Sequence, residues 1–76
     1  MISDRLKKLI FTELQTDEQP IDDSTTADTI PGWDSLSHAR IIAAIEEEYG
    51  IHFKTLEVIR LKNVGELQAL IDRKQA

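Results

Sequence analysis

The sequence predicts an all-α four-helix bundle of three longer helices and one short third helix, with a long loop between the first two. Three observations carry this. Apolar residues recur at helical spacing in three separate stretches, near residues 6–14, 41–49 and 64–71. A glycine, Gly50, follows directly on the longest of them, where a left-handed helix end is favoured. No segment shows the alternation that would mark a convincing strand.

The first helix is expected over residues 3–14. Leu6, Leu9, Ile10 and Leu14 fall on one face, with Ile2 and Phe11 beside it, while Arg5, Lys7, Lys8 and Glu13 point to water. Ser3 is suited to the N-cap and Asp4 to the positive end of the helix dipole. Residues 17–34 then change character: Pro20, Pro31, Gly32 and the Ser24-Thr25-Thr26 cluster interrupt any regular element, and six acids occur without a single lysine or arginine. A loop of this length inside a small domain is expected to be ordered, pinned by Ile21, Ile30 and Trp33.

The second helix opens at Asp34 or Ser35 and runs to Tyr49, with Ile41, Ile42, Ile45 and Tyr49 as its apolar stripe and Leu36 and Ala39 at the near end. A weak helical segment follows at residues 56–60. Asn63 and Glu66 make a capping-box-like pair ahead of the last helix, whose buried face is Val64, Leu67, Leu70 and Ile71. Residues 74–76 are expected to fray. The whole chain, residues 1–76, reads as one domain.

Composition excludes several functions. The chain has 76 residues, no cysteine, and a formal charge of −5 from fourteen acids and nine bases. Disulfides and thiolate metal sites are therefore absent, and the acidic balance argues against general affinity for nucleic acid. It favours solubility and encounter with basic surfaces. The longest purely apolar run, residues 41–45, is far too short to enter a membrane as a span, and the N-terminus lacks a secretory pattern. The cytoplasm, and a monomer, are the expected setting. His38 and His52 lie far apart without a ligand cluster, so no metal site is expected.

The segment with most to say is Gly32-Trp33-Asp34-Ser35-Leu36. Breakers precede it and an amphipathic helix follows, which places Ser35 at a helix N-terminus with its hydroxyl outward. Unpaired N–H groups and the positive dipole end favour a phosphate ester there. The residues alone also allow Ser35 to be nothing more than the helix N-cap, in an unmodified helical interaction module. A third reading joins Asp34, Ser35 and His38 as a minimal hydrolase triad. That chemistry needs an oxyanion hole and a substrate pocket that nothing in the sequence supplies.

Asp34-Ser35-Leu36, with residues 41–50 (IIAAIEEEYG) behind it, resembles the signature of the acyl carrier proteins. The likeness extends over essentially the whole chain, including the acidic loop and the Val64-Gly65-Glu66-Leu67 start of the last helix. It implies a non-enzymatic carrier. A phosphopantetheinyl transferase would move 4'-phosphopantetheine from coenzyme A to the Ser35 hydroxyl, with Asp34 and Leu36 flanking the site and Asp34 also assisting near the transferase's magnesium ion. The arm's thiol would hold an acyl or aminoacyl group as a thioester for loading and downstream synthase or transferase enzymes. Fatty-acid, polyketide, nonribosomal-peptide and other specialised pathways all remain open.

The resemblance also implies that the second helix meets partners, and Ser37, His38, Arg40, Ala43 and Glu47 are the expected partner-facing residues. The fatty-acid carriers display acids just after the serine. Here Ser37 and Arg40 take the corresponding outward positions, and acids survive only at Glu46, Glu47 and Glu48. Together with Trp33, where the fatty-acid carriers have a small residue, this points to a specialised pathway. An acyl chain can slip between helices in fatty-acid members; the small Ala39, Ala43 and Ala44 permit close helix approach without establishing a cavity. The opening methionine and an end just past the last helix suggest a free-standing protein.

Overall fold

The computed structural model describes residues 1–75 and contains four α-helices: α1 (Asp4–Glu13), α2 (Ser35–Tyr49), α3 (Thr55–Ile59) and α4 (Val64–Gln75). A single 3-10 turn, Ala27–Thr29, interrupts the loop between α1 and α2. The described chain is all-helical, and α1 with α2 forms its most extensive helix pair. Leu6 and Ile10 of α1, Ile41 and Ile45 of α2, and Val64, Leu67 and Ile71 of α4 meet in one cluster, all at most 2% exposed. Each such side chain contributes roughly 1.5–3 kcal/mol by leaving water.

Each helix end has an identifiable cause. The Ser3 hydroxyl accepts from the Leu6 N–H at the start of α1. Its far end closes without glycine. The N–H groups of Gln15 and Thr16 donate back to the carbonyls of Thr12 and Phe11, and Gln15 takes the left-handed conformation at φ 57°. This is a Schellman motif with glutamine in the position where glycine is usual. Gly50 ends α2 as its sequence context suggests, at φ 64° and ψ 40°. At α4 the Asn63 side chain accepts from the Glu66 N–H at 2.8 Å. The return arm goes to the N–H of Lys62 rather than Asn63, so the box is displaced by one residue.

The long loop is ordered, as its apolar residues suggest. Ile30 is buried, and Ile21 and Trp33 pack against the core. Asp22 folds an Asx turn by accepting from the Ser24 N–H at 2.9 Å and the Ser24 hydroxyl at 2.6 Å. These hydrogen bonds hold the Asp22 carboxyl below the usual range. The loop carbonyls of Thr25 and Asp23 then accept from the N–H groups of Val64 and Gly65 at 2.9 and 3.0 Å. Two unpaired donors at the start of α4 are thereby satisfied by the loop that presents the site.

Three expectations are corrected. Ser37 is not an outward residue but is 5% exposed, because it lies four residues before Ile41 and eight before Ile45 on the core face of α2. Leu36 and Ala39, placed on the apolar stripe from sequence, are exposed on the opposite side, Leu36 at 67%. The final residues do not fray from position 74: α4 continues through Gln75, and the Lys74 ammonium pairs with Glu57 at 2.8 Å, tying α3 to α4. Position 76 lies outside the described residues.

Candidate functional site

The site is built where the loop becomes α2. Trp33 N–H donates to the Ile30 carbonyl at 3.2 Å, with Pro31 and Gly32 between and Gly32 at φ 85°. This is the type II turn that Pro-Gly favours. It delivers Asp34 in extended conformation to the N-cap, where its carboxylate accepts from the Ser37 N–H at 2.8 Å. That backbone hydrogen bond, before any other cause, holds the Asp34 carboxyl below its ordinary range.

Ser35 is therefore the first residue inside the helix and not its cap. The capping task that would have explained a serine here is performed by Asp34, and Ser35 is exposed. The N–H groups of the first helical residues lack partners within the helix, and the dipole is positive at this end. An anionic ester on the Ser35 oxygen would be placed at that positive end.

His38, expected on or near the partner-facing surface, is half-buried, and its Nδ1 accepts from the Trp33 Nε1–H at 3.1 Å. The two rings stack with centroids 6.0 Å apart at 29°. Burial pushes the His38 pKa down from 6.5. The accepting Nδ1 and the engaged Asp34 carboxylate leave no relay among Asp34, Ser35 and His38, so the residue types of a triad are present without its geometry. Sequence reading missed the Trp33–His38 pair. Its only signal is the five-residue separation across a turn, which has no periodicity to reveal it.

The other partner-face candidates divide. Arg40, Ala43 and Glu47 are exposed, and with Leu36 they fall within an arc of about 60° on α2. Glu46 and Glu48 have intramolecular roles. Glu46 accepts from the Phe53 N–H at 2.8 Å and meets His52 at 3.3 Å, holding the segment after α2. Glu48 pairs with Arg5 at 3.0 Å, while the same guanidinium lies 4.2 Å above the Tyr49 ring. Among the described residues no group of three or more His, Cys, Asp or Glu side chains is placed to hold a metal ion. Among the described residues, too, no helix is long and apolar enough to cross a membrane.

The family model "Phosphopantetheine attachment site" matches residues 4–71. An acyl carrier protein of Sinorhizobium fredii is 27% identical over 75 residues, covering 99% of this chain and 96% of that one. The acyl carrier protein AcpP of Rhizobium meliloti shows the same identity and coverage, 27%, 99% and 96%. Among solved structures, the solution structure of holo acyl carrier protein from Geobacter metallireducens superposes with a TM-score of 0.87 at 38% identity, covering 93% of this chain and 82% of that one. The exposed, uncapped serine hydroxyl at a helix N-terminus fits a phosphate-linked prosthetic group, and 4'-phosphopantetheine is the group these matches assign. The chain thus belongs to the phosphopantetheine attachment family and is a non-enzymatic carrier of the acyl carrier protein type.

Proposed function

We propose that Ser35 is the residue that carries the phosphopantetheine arm, and that residues 1–76 act as one carrier domain for a specialised acyl or aminoacyl pathway. The observation that carries the assignment is the division of labour at the start of α2: Asp34 caps the helix, leaving the exposed Ser35 hydroxyl without that structural duty. In the transfer the Ser35 oxygen forms the new phosphorus–oxygen bond, the nucleotide half of coenzyme A leaves, and the hydroxyl proton passes to a base of the transferase. Once attached, the arm supplies a terminal thiol that holds cargo as a thioester. The chain itself supplies a tether point, a helix end suited to the phosphate, and a docking surface.

Docking to the transferase, a loading enzyme and downstream enzymes is assigned to the exposed face of α2. Leu36, Arg40, Ala43 and Glu47 share that face, whereas Ser37 is excluded by burial. Arg40 supports the specialised pathway. A cation one turn past Leu36, five residues after the serine, would oppose a basic partner surface of the kind that serves fatty-acid carriers. Normal complementation of a strain lacking its fatty-acid carrier would overturn this assignment.

The attachment is tested by incubating the protein with coenzyme A and a broad-specificity transferase and measuring the intact mass. The expected gain is that of one phosphopantetheine, abolished by Ser35→Ala. A gain that survives in Ser35→Ala would move the attachment elsewhere, and no gain with several transferases would return the chain to an unmodified interaction module.

A further inference from the structure

Trp33 and His38 form a clasp over the first turn of α2. Asp34 is the N-cap, so Trp33 lies one residue before the cap and His38 is the fourth residue of the helix. Side chains at these two positions often pack on one another, and their contact fixes the angle at which a chain enters its helix. Here the contact also has direction. The Trp33 Nε1–H donates to the His38 Nδ1 at 3.1 Å, and the rings stack with centroids 6.0 Å apart. An apolar pair could slide, whereas a hydrogen bond between one donor and one acceptor sets the orientation of both rings. Ser35 and Leu36 lie inside the ring of atoms so closed, and both are exposed. The backbone beneath them is tied by the His38 N–H, which donates to the Asp34 carbonyl at 2.8 Å, and by the Ser37 N–H, which donates to the Asp34 carboxylate at 2.8 Å. The indole–imidazole bond adds a link from the residue before the cap to the helix after it. Both rings are only partly buried, so water can satisfy either nitrogen when they part. The closed clasp therefore competes with an open one, and this bond tips the balance.

We infer that His38 is a positioning residue for the modification of Ser35: through its bond to Trp33 it holds Asp34-Ser35-Leu36 in the conformation that a phosphopantetheinyl transferase takes up. The inference rests on the attachment at Ser35. His38 touches no reacting atom in this role. Accepting at Nδ1 leaves the proton of the neutral ring on Nε2, so the role belongs to Nδ1 alone. When that acceptor is lost, the ratio of closed to open clasp falls by the worth of one hydrogen bond, about two- to tenfold. An enzyme that binds only the closed form then meets a smaller competent fraction. Its apparent affinity falls with that fraction, while the chemical step after binding is untouched.

The test times phosphopantetheine transfer from coenzyme A to the full chain by a broad-specificity transferase, read by intact mass. His38→Phe keeps a stacked ring and removes the acceptor. Its KM as protein substrate should rise about two- to tenfold with kcat unchanged. His38→Asn, whose amide oxygen hangs from Cγ as Nδ1 does, should recover most of the loss. Trp33→Phe removes the donor from the other side; it should match His38→Phe and serves if that variant does not fold. The two substitutions combined should cost no more than either alone, because each deletes the same bond. Trp33 is the only tryptophan, so its indole N–H gives a single NMR signal. Exchange of that proton with water should quicken in His38→Phe and slow again in His38→Asn. Mass gain with an unchanged KM in both His38→Phe and Trp33→Phe, or His38→Asn as impaired as His38→Phe, would overturn the positioning role and leave the attachment standing. A wild-type chain that gains no mass would instead overturn the attachment at Ser35, and the positioning role with it.

Discussion

Gly65→Ala reverses the usual sign of a helix substitution. Gly65 is the second residue of α4, and alanine is intrinsically the better helix former by about 1 kcal/mol in a helix interior. A Cβ built at this position, however, would lie 2.7 Å from the Asp23 Cβ, 2.7 Å from the Asp23 carbonyl oxygen and 2.9 Å from its Cα. Two of these atoms are backbone, so no rotamer change relieves the contact. The loop must withdraw, at the overpacking cost of about 1–3 kcal/mol. Withdrawal also stretches the Gly65 N–H bond to Asp23 and the Val64 N–H bond to Thr25, now 3.0 and 2.9 Å, each worth about 0.5–1.5 kcal/mol net. After the propensity gain is subtracted, the variant should be destabilised by about 1–3 kcal/mol.

Urea denaturation followed by circular dichroism measures this directly, with the midpoint falling and the slope unchanged. In a thermal melt the same loss should appear as a drop of about 5–20 °C for a chain of this size. Ala69→Gly, at an exposed position of the same helix, is the matched control and should cost about 1 kcal/mol for propensity alone. If Gly65→Ala raises the midpoint, the loop does not bear on α4 and the account of how the site is held is wrong.

Three further outcomes are expected. Gln15→Gly should stabilise the chain by about 0.5–1 kcal/mol in the same urea assay, because glycine relieves the left-handed strain at φ 57° and loses part of that gain to backbone entropy. Asp34→Ala should lower the melting temperature by removing the cap on Ser37 N–H, and Asp34→Asn should restore most of it, since asparagine caps equally well. Because burial depresses the His38 pKa, the unfolded chain binds the proton first; stability should be constant above the unfolded value near 6.5 and fall as pH drops through and below it. Melts between pH 8 and 5 should show this slope in the wild type and a reduced one in His38→Gln.

Much of the architecture was legible because it is local and periodic. Ile10, Ile41, Ile45, Leu67 and Ile71 were assigned to the core from spacing alone, and Ser3, Gly50 and Asn63 announced their helix ends by residue type. The Gln15 helix stop was visible only as the end of a pattern, since glutamine carries no preference for the left-handed region. Contacts between distant segments were not legible. Nothing in residues 22–25 says that their carbonyls will meet the N–H groups of Val64 and Gly65, and nothing in Trp33 says that its indole will reach His38. Those pairings depend on the path of an irregular loop, which has no period to read.

The errors on α2 share a single origin, and it bears on the site itself. Successive residues turn about 100° around a helix, so the face is decided by which positions anchor it. Reading Leu36 as apolar, hence inward, rotates Ser37 outward. The structure anchors the helix instead through Ser37, Ile41 and Ile45, at a spacing of four, and accepts a buried serine and an exposed leucine as the consequence. That rotation places Leu36, Arg40, Ala43 and Glu47 together on the open side and leaves Ser35, two residues before Ser37, about 160° from it around the axis. In the docking face proposed above, leucine at position 36 serves as a surface for another protein rather than as a failed core residue. An exposed leucine beside an exposed serine costs the folded chain an apolar burial it could have had. That cost makes sense where both residues are used together by whatever docks on this end of the helix.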